Sequence, residues 1–137
     1  MTNVSTMRLE IVTPERKVYS DDVDMIIVRG VLGELGILPK HAPFVTPLDI
    51  SAMRIKKDSK EQLVAIGGGF LEVSQDKVVI LAETAELPEE IDYNRALAAK
   101  ERAEQRLSIT GAEELDFKRA QLALQRATNR IKVVDKR

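Results

Sequence analysis

The last third of the chain carries arginines at helical spacing. Arg95 and Arg102 lie seven residues apart with Arg106 four further on, and Arg119, Arg126 and Arg130 repeat the seven-and-four spacing. On a helix such spacing returns to one face. If the two segments fold back on each other antiparallel, Arg95 and Arg102 come close to Arg126 and Arg130. Like charges gathered in this way repel unless an anion sits among them, and polyphosphate suits the guanidinium forks. The commoner arrangement is a solvated charged surface with contacts four apart, such as Glu101–Gln105 and Arg102–Arg106. Spacing alone leaves both readings open.

Other candidate chemistry is thin. Gly67-Gly68-Gly69 has no following Lys-Ser/Thr, and a strand rather than a helix comes next, so it reads as a bulge or tight strand connection and not a phosphate loop. His41 is the single histidine and lies between Pro39 and Pro43, a structural or surface position rather than a general base. With one His and no Cys, metal binding has little support, and thiolate nucleophiles and disulfides are excluded. Without a P-loop or a general base beside a metal-held phosphate, autonomous ATP hydrolysis is disfavoured.

These arginines must be positioned by the elements on either side of Glu86–Ala96. Before that stretch, Gly and Pro punctuate short runs of Val, Ile and Leu. After it there is one Gly, Gly111, and no Pro. Met7–Thr13, Lys17–Ser20, Val23–Arg29, Phe44–Leu48, Ile50–Ile55, Gln62–Ile66, Gly69–Val73 and Lys77–Ala82 read as strands, with polar or Pro-containing turns between them. Gly30, Gly33 and Gly36 mark a segment of unusual backbone. The expected core is aliphatic: Leu9, Ile11, Ile26, Val28, Ile37, Leu38, Val64, Ile66, Phe70, Leu71, Val79 and Leu81.

Asp92 is placed to cap a helix by accepting from the amide of Asn94 or Arg95, with Glu89 and Glu90 favourable near its positive end. Ala96, Ala99, Ala103 and Leu107 form one stripe. A turn at Ser108–Ala112 precedes a second helix from about Glu113 to Val133, with Phe117, Ala120, Leu124, Ala127 and Ile131 on one face. The expected fold is all-β plus all-α, an antiparallel β-sandwich over 1–88 followed by an antiparallel two-helix hairpin over 89–137. Alanine in both seams buries little area, so the hairpin must dock on the β domain, bind a partner or be held by a ligand.

The totals narrow the class further. A net charge of −1 gives no general attraction to nucleic acid or anionic lipid, although residues 1–88 carry −3 and residues 89–137 carry +2. No apolar run approaches a membrane span, and the first residues lack the pattern of a signal peptide. A soluble, cytosolic protein is expected, with any membrane association made through a partner.

Gly33-Glu34-Leu35-Gly36-Ile37-Leu38-Pro39-Lys40-His41-Ala42-Pro43, with Gly68-Gly69-Phe70-Leu71-Glu72-Val73, closely resembles the epsilon subunit of bacterial F-type ATP synthase, and the resemblance runs from about Met7 to Ile131. One departure is Lys40, where the family usually has Gly. The resemblance implies a β-sandwich followed by a helical hairpin, in a non-catalytic rotor subunit. Its β domain binds the gamma subunit and the c-ring, at the cytoplasmic face of the bacterial membrane. The hairpin either folds down on that domain or extends along gamma towards the alpha and beta subunits, where it inhibits ATP hydrolysis.

Some members of the family bind ATP on the folded hairpin through Ile/Leu-Asp-x-x-Arg-Ala, matched here by Ile91, Asp92, Arg95 and Ala96. Glu86, Arg102, Arg126 and Arg130 match their further ATP-contacting positions. The implied roles give phosphate to Arg102, Arg126 and Arg130, and place Glu86, Ile91 and Asp92 about the adenine and the helix start. Arg95 either touches nucleotide or orders the motif through Asp92. ATP is thus the expected regulatory ligand, with or without Mg2+. The competing reading is a purely structural coupling subunit that binds no nucleotide.

Overall fold

Alternation of side chains builds the first strand and sets the pattern for the rest. In β1 (Met7–Val12), Met7, Leu9 and Ile11 are buried while Arg8 and Glu10 point away from the core. The computed structural model describes residues 6–109, 111 and 113–136; Met1–Ser5, Thr110 and Ala112 of the expected turn, and Arg137 lie outside them. The chain continues through β2 (Lys17–Val23), β3 (Met25–Gly30), β4 (Gly33–Ile37), β5 (Phe44–Lys57), β6 (Lys60–Ser74), β7 (Lys77–Ala82) and β8 (Ala85–Glu86). A 3-10 turn at Pro88–Glu90 then leads into α1 (Tyr93–Leu107) and α2 (Glu114–Asp135).

The strands form one sheet in the order β2-β1-β7-β6-β5-β3-β4, with β8 paired to β6. All pairings are antiparallel except β1 with β7, which is parallel. Asp24 alone connects β2 to β3, although these strands stand far apart in that order. One intervening residue spans roughly 7 Å, so the sheet has to fold back on itself until the two strands meet. Hydrogen bonding closes the fold there. The Asp24 amide donates to the Lys56 carbonyl at 2.9 Å, and Lys57 Nζ pairs with the Asp21 carboxylate. The result is a flattened sandwich around Leu9, Ile11, Ile26, Ile37, Met53, Ile55, Ile66, Leu71 and Ile80, all essentially inaccessible.

Glu10 fastens the parallel pair from outside the core. Its carboxylate accepts from Lys17 Nζ at 2.6 Å and Lys77 Nζ at 2.9 Å, joining β1 to β2 and β7. The two ammonium groups, Lys17 foremost, hold its pKa down at about 2.

Four expected core residues lie elsewhere. Phe70 is 53% exposed, Leu81 50% and Leu38 55%, and Val79 is half-buried. The period of two decides this: Leu71, Val78, Ile80 and Ala82 face inward, so Phe70, Val79 and Leu81 point out, and Leu38 has run past the end of β4. The expected pairs of short strands are also single long ones, with β5 14 and β6 15 residues long.

The three glycines sit inside β6. A Cβ on Gly67 would stand 1.9 Å from Thr84 Oγ1, and one on Gly69 would stand 2.1 Å from the Leu81 carbonyl oxygen. Gly67 and Gly69 thus admit the close approach of Thr84 and of β7, whereas Gly68 serves through its backbone, at φ 91°. Gly33–Ile37 is regular strand, and of Gly30, Gly33 and Gly36 only Gly33 has positive φ (122°). Lys40 adopts the left-handed conformation at φ 66°.

In the hairpin, α1 packs on α2, and the buried residues along the pair are alanines, Ala96 and Ala103 on one helix and Ala120 and Ala127 on the other. Leu107, Leu124 and Ile131 are half-buried, and Phe117 is 40% exposed. The second helix has a further inward line, Asn129 and Val133, through which it rests on β5 and β6. Val133 joins Ala65 and Ile91 in a small apolar cluster, with Ala52, Leu63 and Val134 around it. Two buried side chains of this kind contribute roughly 1.5–3 kcal/mol each, a slender attachment for so long a hairpin.

Candidate functional site

The root of the hairpin gathers part of the expected site. Pairing of β8 with β6 sets Ala85 against Ile66 and Glu86 against Ala65. Ala85 turns into the core, so Glu86 points the other way, towards α2. There Arg130 Nε donates to Glu86 Oε1 at 2.5 Å, in a pair whose side chains are 28% and 27% exposed. Arg126, one turn earlier and half-buried, lines the same cleft with Thr84 and Asn129. Asn129 is buried, and its Nδ2 lies 3.5 Å from the Ile66 carbonyl oxygen, a long contact.

The junction is tied to the sheet. Glu90 accepts from the Leu87 amide at 2.9 Å through Oε1 and from Arg16 at 2.6 Å through Oε2, so the 3-10 turn is fixed to the β1–β2 connection. Ile91 is buried in the cluster with Val133. Asp92 caps α1, its Oδ1 accepting from the Arg95 amide at 3.1 Å. Ala96 is buried in the helix pair.

The structure thus brings Glu86, Arg126 and Arg130 about one cleft, while Ile91, Asp92 and Ala96 do not line it and belong to the framework of the hairpin. Arg95 and Arg102 stand exposed on α1 and line neither this cleft nor the larger groove described next. Arg119 leans instead to Asp116 at 3.9 Å. Among the described residues, Arg95, Arg102 and Arg126 enter no ion pair.

Beside the cleft an open groove of about 1430 Å3 runs between α2 and the outer face of β5 and β6. Arg126, Lys132 and Lys136 line its helical wall, and Glu34, Asp49, Glu61 and Glu83 with Arg29 and Arg54 line the opposite wall. His41 is remote from both, with its ring centroid 5.1 Å from that of Phe44. No group of three or more His, Cys, Asp or Glu side chains is placed to hold a metal ion among the described residues. Sequence reasoning missed Thr84 and Asn129. The latter has a faint signal, because it stands four residues before Val133, on a helical line separate from the Phe117–Ile131 stripe.

Known proteins share this curled sheet and two-helix tail. Residues 6–88 match the family described as ATP synthase, Delta/Epsilon chain, beta-sandwich domain, and residues 89–135 match its long alpha-helix domain. The chain belongs to this ATP synthase delta/epsilon family. Among similar proteins, the ATP synthase epsilon chain of Alkalihalophilus pseudofirmus is 61% identical over 107 residues, 78% of this chain and 80% of that one. That of Halalkalibacterium halodurans is 59% identical, over 74% of this chain and 77% of its own.

Its relatives are thus bacterial epsilon chains of F-type ATP synthase, and the chain is a non-catalytic subunit of that class. The fold recurs in the mitochondrial ATP synthase of Euglena gracilis, in a structure of OSCP, F1 and c-ring, with a TM-score of 0.78 at 23% identity over 93% of this chain and 81% of that one. It recurs again in the central stalk and c-ring of the Tetrahymena thermophila mitochondrial enzyme, at 0.59 and 16%, over 97% and 99% of the two chains. No helix among the described residues is long and apolar enough to cross a membrane.

Proposed function

We propose that this subunit couples gamma to the c-ring through its β domain and regulates ATP hydrolysis through a movable hairpin. ATP favours the docked hairpin, and the extended hairpin reaches towards the alpha and beta subunits and inhibits. The subunit is held at the cytoplasmic face of the membrane only through the complex. The observation that carries this reading is the meeting of Glu86, Arg126 and Arg130 where α2 rests on the sheet, since a ligand bound there touches both parts at once. Arg126 and Arg130 take phosphate, and Arg102 reaches in from α1 once ligand is present. Glu86, Ile91 and Asp92 sit about the adenine and the helix start, Ala96 completes the motif, and Arg95 orders that turn. Any Mg2+ that enters with the nucleotide would be held by the phosphates, since no group of three or more His, Cys, Asp or Glu side chains is placed for it among the described residues.

A ligand that binds only the docked form stabilises it by RT ln(1 + [L]/Kd), about 2.7 kcal/mol at a hundredfold excess over Kd. That is of the order of the slender Ile91–Val133 attachment, so it can decide where the hairpin rests. Titrating the purified chain with ATP in a calorimeter tests this. Binding, with a rise in melting temperature that Arg126→Ala abolishes, is the expected result. A second reading, a structural coupler that binds no nucleotide, is favoured by the neutralisation of Arg130 by Glu86, and absence of heat and of a melting shift would establish it.

A further inference from the structure

The hydrogen bonds of the junction divide between two neighbours, Ile91 and Asp92. Up to Ile91 they point back along the chain. Glu90 and Ile91 donate their amides to the carbonyls of Leu87 and Pro88, at 2.9 and 3.3 Å. Leu87 packs on the main core and Pro88 is buried. From Asp92 they point forward, its side chain accepting from the Arg95 amide and its carbonyl from the Ala96 amide at 3.0 Å. Among the described residues, no hydrogen bond or ion pair joins residues 87–91 to α1 or α2.

The polar tie from this turn to the β domain is Arg16. Its Nη2 donates to Glu90 Oε2 at 2.6 Å while Glu90 Oε1 accepts the Leu87 amide at 2.9 Å, so one carboxylate closes the 3-10 turn and fastens it. Arg16 is itself held by Thr13, which is buried. Thr13 donates its amide to the Arg16 carbonyl at 2.9 Å and accepts the Arg16 amide on Oγ1 at 3.3 Å.

We infer that Arg16 is a positioning residue that fixes where the hairpin parts from the sheet, keeping the chain in place through Ile91 and letting movement begin at Asp92. This rests on the movable hairpin proposed above and not on nucleotide binding. Release then separates Ile91 from Val133 and leaves Ile91 on Ala65. An exposed ion pair stabilises only modestly. A 3-10 turn of three residues, however, holds little by itself, so without Arg16 it leaves with the helices and the pivot moves back to Leu87.

The chain has no cysteine, so introduced pairs can be spin-labelled without background. Glu72→Cys on β6 is combined with Glu89→Cys in the turn or with Asn94→Cys on α1, all exposed positions. Pulsed electron paramagnetic resonance reads each distance in the full-length chain, with Val133→Asp releasing the hairpin by placing a charge in its apolar cluster. On release the 72–94 distance should lose its single narrow distribution while 72–89 keeps it. Adding Arg16→Ala should broaden 72–89 as well, and Arg16→Lys should restore it. Val133→Ala, which adds no charge, should show the same order to a smaller extent. A 72–89 distance that broadens with Arg16 in place, or that stays narrow in Arg16→Ala, overturns the inference and leaves the movable hairpin standing. A 72–94 distance that stays narrow in both Val133 variants overturns the movable hairpin, and the pivot with it. Circular dichroism of each variant establishes that the sheet is intact.

Discussion

Asp92 Oδ1 accepts the backbone N–H of Arg95 at 3.1 Å, so the acid of the proposed nucleotide motif is also the residue that starts α1. The two duties can be separated. Asp92→Ala should cost about 1 kcal/mol without any nucleotide, through loss of the cap. Asp92→Asn keeps a capping side chain and should leave that stability within a few tenths of a kcal/mol. If the charge also serves the ligand, both variants lose the ATP-dependent rise in melting temperature. An Asn variant that responds to ATP like wild type would confine Asp92 to capping.

The docking of α2 through Val133 predicts a local effect. Val133→Ala should weaken the attachment by about 1–3 kcal/mol. Amide hydrogen exchange should then accelerate in both helices together while β6 and β7 stay protected. Equal acceleration throughout the sheet would show that the hairpin is part of the main folding unit.

Glu10 predicts an acid-sensitive contribution. Its pKa is lowered from 4.5 to about 2 by Lys17 and Lys77, so its stabilising effect is complete above pH 4.5 and is lost as pH falls through about 2. The gap in urea midpoint between wild type and Glu10→Gln should therefore be constant near neutrality and close between those two values. A gap that persists at pH 2 would contradict the ion-pair account.

Two positions of positive φ predict opposite outcomes. Lys40 (φ 66°) has a side chain where glycine is free of strain, so Lys40→Gly should be neutral or stabilise by up to about 1 kcal/mol. Gly69→Ala forces a Cβ to within 2.1 Å of the Leu81 carbonyl oxygen at φ +144° and should cost about 2 kcal/mol or more. Thermal melts of the two variants check both.

Phe70 and Leu71 are neighbours on opposite faces of β6. Truncating Leu71 to Ala should cost about 2–5 kcal/mol, whereas Phe70→Ser should change stability by no more than about 0.5 kcal/mol. Comparable losses at both would mean that the outer face of β6 is covered in solution.

The pair at 70 and 71 also shows how far the sequence could be read. Phe70 looks like core by type, and only the register of β6, fixed by Gly69 and by its neighbours, turns it outward. The division at Glu86–Ala96 and the cap at Asp92 were legible because Pro, Gly and acidic residues have local effects. The continuity of β5 and β6 was not, since Pro47 and Gly67–Gly69 are ordinary breakers until a neighbouring strand supplies a reason for them. Arg126 and Arg130 were legible by spacing as one face of α2, but Arg95 and Arg102, expected beside them, do not line the cleft. Asn129 and Thr84 enter it through contacts between residues distant in sequence, which no local pattern records.

The slight grip of α2 on the sheet through Val133 has a consequence for biogenesis. Translation delivers the whole sandwich first, then α1, and only near the close of α2 the valine on which both helices depend. Until that residue clears the ribosome, the newborn helices have no berth on their own domain. A partner already waiting in the assembling enzyme could claim them before they settle.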